Sequence, residues 1–564
     1  MSETSSKKRI IVCCDGTWQN SDNGHTKSAD AKKSSSTQMA SNTLTYPLNS
    51  AQRSSKRSVA IIQQHESWLI ANDFFIQFQI IYYQSGVGSR STLIDRLLGG
   101  AFGTGISENI REAYAFICAN YVNGDEIVLL GFSRGAFTAR SIGGMISDLG
   151  LLTRVGQEYF YPIFKDMQNW SNEGYADPFP TVPFTNKPKG TNAADIYRER
   201  LVENGYSRVR GNNGTGAPIR VLAIGVWDTE RRQEEQATSD LRQVWFPGSH
   251  GNIGGGWPDQ GVADTTLAWM MDQLSSVGCE FRTDALERAF ETTIKYYTNR
   301  EPESSSHHHK RRPPSWAKKS IYESNQPVRP WSLHYIQSAT GPLSNLVGSI
   351  TRAPGMYKKI DPKNGRPLPE FLEDTNERIH PSVRVRLACE GLGLNDSDVW
   401  HCPSLLLYWR PRRVSAQYFD PVSRRANWGP AKPPHGAETA ALESEREANA
   451  PDTELSPRKS LQMLSLDPSE RWVWEYVGPE ITAPPVRTMV EENLGPFEQR
   501  LMHLAAGKVH VCEYAEKQDI DKLKVFELRG FVKMMQRLRR RWHRKEVAAT
   551  RPARKKKTGT HETD

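Results

Sequence analysis

The chain has 564 residues, a net charge of +9 and an apolar fraction of 37%, with a mean hydropathy of −0.62. That is enough chain for a large core diluted by long polar stretches, and no apolar run is long enough to span a bilayer. Seven cysteines, odd in number and without metal-ligand spacing, argue against a disulfide framework. The first residues, Met-Ser-Glu-Thr-Ser-Ser-Lys-Lys, lack the apolar core of a secretory signal. An intracellular, cytoplasmic protein without signal peptide or transmembrane segment is therefore expected.

Lys8 to Cys14 reads as a first buried strand, with Cys13 and Cys14 as core thiols. It ends at Asp15-Gly16-Thr17, at the carboxyl edge where α/β sheets place their ligands. The backbone N–H groups of Gly16 and Thr17 are candidate oxyanion donors; the alternative is an Asx-turn that only closes the strand. Residues 20–58 are polar and aperiodic, and read as an insertion. Val59 to Ile80 is apolar and aromatic but fits neither helix nor strand. Gln79 to Gln84 is a second strand entering a glycine turn at Gly86 and Gly88. Leu97 to Gly105 is a glycine-rich apolar loop, and no lysine follows it as a phosphate-binding loop requires. Ser107 is a candidate N-cap for a helix whose face is Ile110, Ala113, Tyr114, Ile117 and Tyr121.

The most informative stretch runs from Asp125 to Arg140. Ile127 to Leu130 is a continuous apolar run suited to a strand buried on both faces. Gly131-Phe132-Ser133-Arg134-Gly135 follows, and Ala136 begins a helical pattern. Gly-x-Ser-x-Gly between strand and helix is the pattern of a nucleophile elbow, in which a sharp turn lifts the serine hydroxyl and both glycines avoid collisions. The helix N-terminus and the Arg134 N–H would then stabilise an oxyanion. The plainer alternative is a glycine-rich turn of structural meaning only.

Val155 to Lys189, rich in aromatics and prolines, reads as an insertion or cap. Ile219 to Trp227 is a further strand ending at Asp228. Gln243 to His250 is another, running into a glycine cluster, and Thr265 to Leu274 is a helix. Ser133, Asp228 and His250 thus fall at strand ends in the serial order of α/β-hydrolase triads. Such a triad needs a base to take the serine proton and a carboxylate to hold and stabilise the imidazole. Residues 300–320 contain three histidines in a Ser/Pro/Arg run, read as a solvated loop rather than a metal site. His380-Pro381 opens a helix-like stretch, so His380 is a second candidate base, or a structural residue at a helix start. Residues 420–468 are a second polar insertion, Trp472 to Val477 a strand, and Pro485 to Leu504 a helix. Residues 520–545 form a basic amphipathic segment and 546–564 a basic tail, which together hold more than the whole positive excess. An anionic membrane surface is the partner this end fits, rather than nucleic acid; a helix packed on the domain followed by a solvated tail is the plainer reading.

Four blocks together carry a family resemblance: Asp15-Gly16-Thr17-Trp18, Tyr83-Gln84-Ser85-Gly86-Val87-Gly88, Gly131-Phe132-Ser133-Arg134-Gly135-Ala136 and Trp245-Phe246-Pro247-Gly248-Ser249-His250. They resemble the signature blocks of the α/β-hydrolase family that contains the phospholipase effectors of bacterial type VI secretion. Ser338 to Gly348 and Arg386 to Gly393 resemble its uncharacterised fungal branch. The resemblance covers roughly Lys8 to Leu504 and implies hydrolysis of a carboxylic ester, in the secreted relatives a phospholipid acyl ester. The chain departs from the family's pattern in three places. Thr229 runs straight into Glu230-Arg231-Arg232 where relatives have a longer connection, Ser41 to Phe78 does not resemble the usual helix after the first strand, and Asn252 stands where relatives often have Asp.

The expectation is an α/β protein: an α/β-hydrolase-like, mostly parallel sheet with helices on both faces, in one domain over 8–504. Ser133 is the expected nucleophile, His250 the base, Asp228 its orienting carboxylate, and Gly16 and Arg134 the oxyanion donors. That chemistry requires no metal or cofactor, and its partner is an ester or lipid substrate. Two alternatives stand. One is a metal-dependent phosphohydrolase using Asp15, with Cys13 where a second acid belongs; the other is an interaction or membrane-associated protein with an impaired site.

Overall fold

Alternation along two strands decides how the layers form. In Ile10-Ile11-Val12-Cys13-Cys14, Ile10, Val12 and Cys14 enter one core cluster while Ile11 and Cys13 enter another. Ile127 and Leu129 divide from Val128, Leu130 and Phe132 in the same way. Successive side chains point to opposite faces of a sheet, so a continuous apolar run requires covering layers on both sides.

The computed structural model describes residues 7–16, 78–84, 104–172, 174–190, 192–211, 216–227, 240–255, 259–282, 284–298, 329, 331–336, 352–361, 367–373, 375–389, 402–415, 470–480 and 483–505. In chain order the strands are β1 (Lys8–Cys14), β2 (Phe78–Gln84), β3 (Glu126–Phe132), β4 (Leu151–Leu152), β5 (Ser207–Arg208), β6 (Val221–Trp227), β7 (Gln243–Trp245), β8 (Lys358–Ile360), β9 (Pro367–Phe371), β10 (Glu377–Ile379), β11 (Trp409–Ser415), β12 (Glu470–Tyr476) and β13 (Thr488–Glu491). The helices are α1 (Thr104–Asn120), α2 (Arg134–Leu149), α3 (Arg154–Glu158), α4 (Phe160–Asn169), α5 (Ala193–Glu203), α6 (His250–Ile253), α7 (Gly261–Ser276), α8 (Ala285–Thr298), α9 (Pro381–Ala388), α10 (Pro403–Leu406) and α11 (Pro496–Leu504).

The first sheet has the order β2-β1-β3-β6 and is parallel throughout. Helices α1, α2, α4 and α5 cover one face; α7, α8, α9 and α11 contribute to the cluster on the other. The chain is thus α/β, with helices on both faces of a parallel sheet. The order reverses between β1 and β3, since β2 lies outside β1 and β6 outside β3. In open α/β sheets that reversal leaves a crevice at the carboxyl ends of the two central strands, where ligands bind. Cys14 pairs with Gly131 there, so Asp15 and Ser133 leave the sheet side by side.

A second sheet has the order β11-β12-β13-β10-β7. β7, β10 and β13 are parallel, while β12 pairs antiparallel with β13 and β11 antiparallel with β12. The sequence leads one to expect one mostly parallel sheet; among the described residues the strands form two main ones, with β6 and β7 at their respective edges. β7 has three residues because Pro247 and Gly248 (φ 120°) end its ladder. On β6, Leu222 and Ile224 remain exposed.

Other boundaries also differ from expectation. The helix expected from Ser107 begins at Thr104, since Gly105 falls in a first turn, where the N–H groups have no intrahelical partner to lose. Pro485 to Leu504, expected as one helix, splits into β13 and α11. Thr488 to Glu491 carries a strand's alternating burial, and Gly495-Pro496 supplies a helix start with Pro at N1. The regions 20–58, 300–320, 420–468 and 520–564 lie outside the described residues. No helix among those described is long and apolar enough to cross a membrane.

Buried ionisable groups join the second sheet to α7 and α11. Asp272 on α7 accepts the N–H groups of Phe497 (2.9 Å) and Glu498 (3.2 Å), capping α11. Glu498 accepts the Gly495 N–H at 3.0 Å and faces His380 Nε2 at 2.6 Å. Glu492 pairs with Arg378 at 3.2 Å. Desolvation, with mutual repulsion added at Asp272, raises the pKa of Asp272 and Glu498 well above the ordinary carboxylate range. Desolvation lowers His380 to about 3.

The folded state therefore holds more protons on these carboxyls than the unfolded chain does, so their contribution to stability is lost as pH rises. Above pH about 6.5 the histidine is neutral in both states, so within this cluster the carboxyls carry the slope. Glu498→Gln is expected to flatten the fall in melting temperature between pH 7 and 9 (chosen to lie above the histidine range). An unchanged slope in thermal melts would refute this assignment.

Candidate active site

The strand-to-helix turn after β3 depends on two close backbone approaches. A Cβ on Gly131 would overlap the Gly135 carbonyl, and one on Gly135 would overlap the carbonyl of Cys14 at the end of β1. Neither position accommodates a side chain without moving backbone. Between them Ser133 adopts φ 57° and ψ −119°, a region that non-glycine residues rarely occupy and that costs on the order of 1–3 kcal/mol. The turn is held by the Ser133 N–H donating to the Trp227 carbonyl at 3.2 Å, and by Ala136 N–H donating to the Ser133 carbonyl at 3.0 Å. Arg134 is the first residue of α2, which places its N–H at the positive end of the helix.

His250 arrives from the second sheet. After β7 the chain turns at Pro247-Gly248, where a Cβ on Gly248 would lie 2.8 Å from that of Asn252. Ser249 caps the single-turn helix α6, which begins at His250. The buried Asn252 side chain accepts from Ser249 N–H (3.1 Å) and Ser249 Oγ (2.8 Å), so the residue that departs from the family pattern holds this turn. His250 Nε2 lies 2.9 Å from Ser133 Oγ. The Phe132 ring stacks on the imidazole at 4.7 Å between centroids. Although His250 as a residue is exposed, protein packed around its ring lowers its pKa by desolvation. A neutral imidazole within hydrogen-bond reach of a hydroxyl is able to take its proton.

The remaining candidates are distributed differently. Asp228 directly follows Trp227, the residue bonded to the elbow, but lies outside the described residues. The Gly16 N–H donates to Asp15 Oδ1 at 2.8 Å, so in this structure it is turned toward its own chain neighbour. Asp15 is buried and also accepts from the Tyr83 hydroxyl at 2.7 Å. Among the described residues no group of three or more His, Cys, Asp or Glu side chains is assembled to hold a metal ion. His380 is fully buried, with Nδ1 2.6 Å from Ser382 Oγ and Nε2 against Glu498. It caps α9 by accepting the Ser382 N–H. The structure brings His250 to Ser133 and commits both ring nitrogens of His380 elsewhere. Cys13 and Cys14 are buried, and desolvation pushes both thiols far above their ordinary pKa.

The sequence marks Asn252 only as a departure from the family pattern and gives no role to Phe132 or Glu498. Phe132 lies within the elbow motif, and Asn252 at three residues past a serine fits a capping pattern. Glu498 carries no local signal, because its partners are distant in sequence.

A serine hydroxyl on a strained turn with an imidazole in reach, at a topological switch point of the sheet, is a candidate nucleophile–base pair on an α/β scaffold. Comparison with known proteins agrees at the level of family. Residues 8–232 and 229–273 match the family described as "T6SS, Phospholipase effector Tle1-like, catalytic domain", so this part of the chain is similar to that family's catalytic domain. An uncharacterized protein of Saccharomyces cerevisiae, YEL023C, is 35% identical over 105 residues, 16% of this chain and 15% of the yeast protein. The match thus spans a small part of that relative's length. No solved structure matches the chain.

The glycine geometry makes a direct forecast. Gly135→Ala should lower stability by about 1–3 kcal/mol by forcing backbone apart. Gly144→Ala, on the same helix with nothing within 4 Å of its added Cβ, should be neutral or stabilise by about 0.5–1 kcal/mol. Denaturant midpoints of the two variants measure the contrast, and equal midpoints would contradict the close approach.

Proposed function

We propose that this protein is a serine hydrolase of the α/β-hydrolase type that cleaves carboxylic esters, with phospholipid acyl esters as the substrate class. The observation that carries the reading is the 2.9 Å approach of His250 Nε2 to Ser133 Oγ on a positive-φ turn. The description of the matching family as a phospholipase effector supports the lipid ester.

In the proposed mechanism Ser133 Oγ attacks the ester carbonyl carbon while its proton passes to His250 Nε2. The carbonyl oxygen becomes an oxyanion, stabilised by the Arg134 N–H and by a donor from the Asp15-Gly16-Thr17 turn. Gly16 would serve after releasing Asp15 Oδ1; Thr17, the other donor proposed from sequence, lies outside the described residues. Collapse expels the alcohol, which takes the proton from the imidazolium, leaving an acyl-serine. Water then attacks, giving its proton to His250, and release of the acid restores the serine. Asp228 is the proposed carboxylate that holds the imidazole tautomer.

Ser133→Ala should reduce turnover of a p-nitrophenyl ester on the order of 10⁴–10⁶-fold, leave the melting temperature nearly unchanged, and abolish labelling by a fluorophosphonate. Full activity in that variant would end the proposal. His250→Ala should abolish turnover in a protein that still folds. His380→Ala should instead lower stability, because it leaves Glu498 buried without its partner. The reverse pattern would move the base to His380.

A further inference from the structure

The proposed base stands on a helix of one turn after a strand of three residues, which is a slight platform for an imidazole. Hydrogen bonds at the edge of an imidazole act in the plane of the ring. A contact against its face acts perpendicular to that plane and constrains the tilt of the ring.

Phe132 has the geometry to supply it. Its backbone is the last residue of β3, paired with Trp227 of β6, so it moves with the sheet. Its side chain is 3% exposed. The ring lies against the face of the His250 imidazole, 4.7 Å between centroids and 30° between planes. A Cβ on Gly254 would fall inside the same phenyl ring. Gly254 caps α6, its N–H donating to the His250 carbonyl at 3.2 Å. The phenyl ring therefore occupies the space between the first residue of that turn and its cap, and any side chain at 254 would compete for that space. The polar side chains of the turn, Ser249 and Asn252, are bonded to each other.

We propose that Phe132 is a positioning residue for the His250 imidazole: the residue before the nucleophile clamps the face of the ring while the nucleophile engages its edge. This rests on the serine-hydrolase reading above and deepens it, because adjacent residues 132 and 133 then act on the base from its face and from its edge. The same contact keeps water from one face of the ring, in accord with the desolvation that lowers the His250 pKa. Gly254 becomes part of the device, as the vacancy the phenyl ring needs.

The test uses the full-length protein with p-nitrophenyl butyrate as substrate. Phe132→Leu should keep the far-ultraviolet spectrum and lower kcat roughly ten- to hundred-fold, with KM within about twofold. The acid limb of its kcat/KM profile should move upward toward the free-histidine value of about 6.5. Gly254→Ala alone should reproduce the loss, and in a Phe132→Ala background it should add nothing. A folded Phe132→Leu with unchanged kcat and acid limb would overturn the assignment, as would a harmless Gly254→Ala if the leucine variant does not fold.

Histidine ring signals in NMR, with His250 identified by its disappearance in His250→Gln, give a readout that needs no turnover. The His250 pKa should lie below 6.5 in the parent and rise in Phe132→Leu; an unmoved pKa overturns the clamp even in an active enzyme. If no ester is turned over but the pKa moves as stated, the clamp stands and the hydrolase reading falls.

Discussion

The backbone at Gly135 passes so close to the Cys14 carbonyl that no Cβ fits between them, and the geometry of the site follows from that approach. It presses the start of α2 against the end of β1, and the similar crowding of Gly131 against Gly135 folds the turn on itself. Ser133 is left in a left-handed conformation that its own preferences oppose. The strain is sustained because β3 is paired on both sides, with β1 and β6, and α2 is packed into the core behind it. A looser sheet would let the turn relax and lower the hydroxyl.

The second half of the site is assembled from weaker parts. β7 contributes a short ladder, Pro247-Gly248 breaks it, and a Ser249–Asn252 pair closes one helical turn. What brings this assembly to the serine is tertiary: a hydrogen bond at the edge of His250 and a phenyl ring against its face. The nucleophile arm is rigid by topology, whereas the base arm meets it through side-chain contacts at the edge and face of one imidazole. Substitutions around α6 are therefore expected to affect chemistry before they affect folding.

The other histidine illustrates how burial assigns roles. His380 and His250 each follow a strand of the second sheet, and both lie in helix starts. One reaches the crevice. The other is enclosed by Glu498 and Ser382, stacked by Phe246 at 4.4 Å, and held neutral by desolvation. Its surroundings suit a clasp between β10, α9 and α11, where a buried pair is costly to break from one side.

Much of this was legible in the sequence. Unbroken apolar runs such as Ile10–Cys14 and Ile127–Leu130 suit strands covered on both faces, and Gly-x-Ser-x-Gly between such a strand and a helix fits an elbow, because these are local consequences of pleat and sterics. The motif blocks likewise placed Ser133 and His250 at strand ends. Tertiary structure alone decided that His250 rather than His380 meets the serine, that Phe132 stacks on the imidazole, that Gly16 turns its N–H to Asp15, and that β6 and β7 edge separate sheets. Each of those depends on which residues distant in sequence become neighbours, and on how much water they exclude. Local pattern carries no information about either, since hydrogen bonds and desolvation act through space.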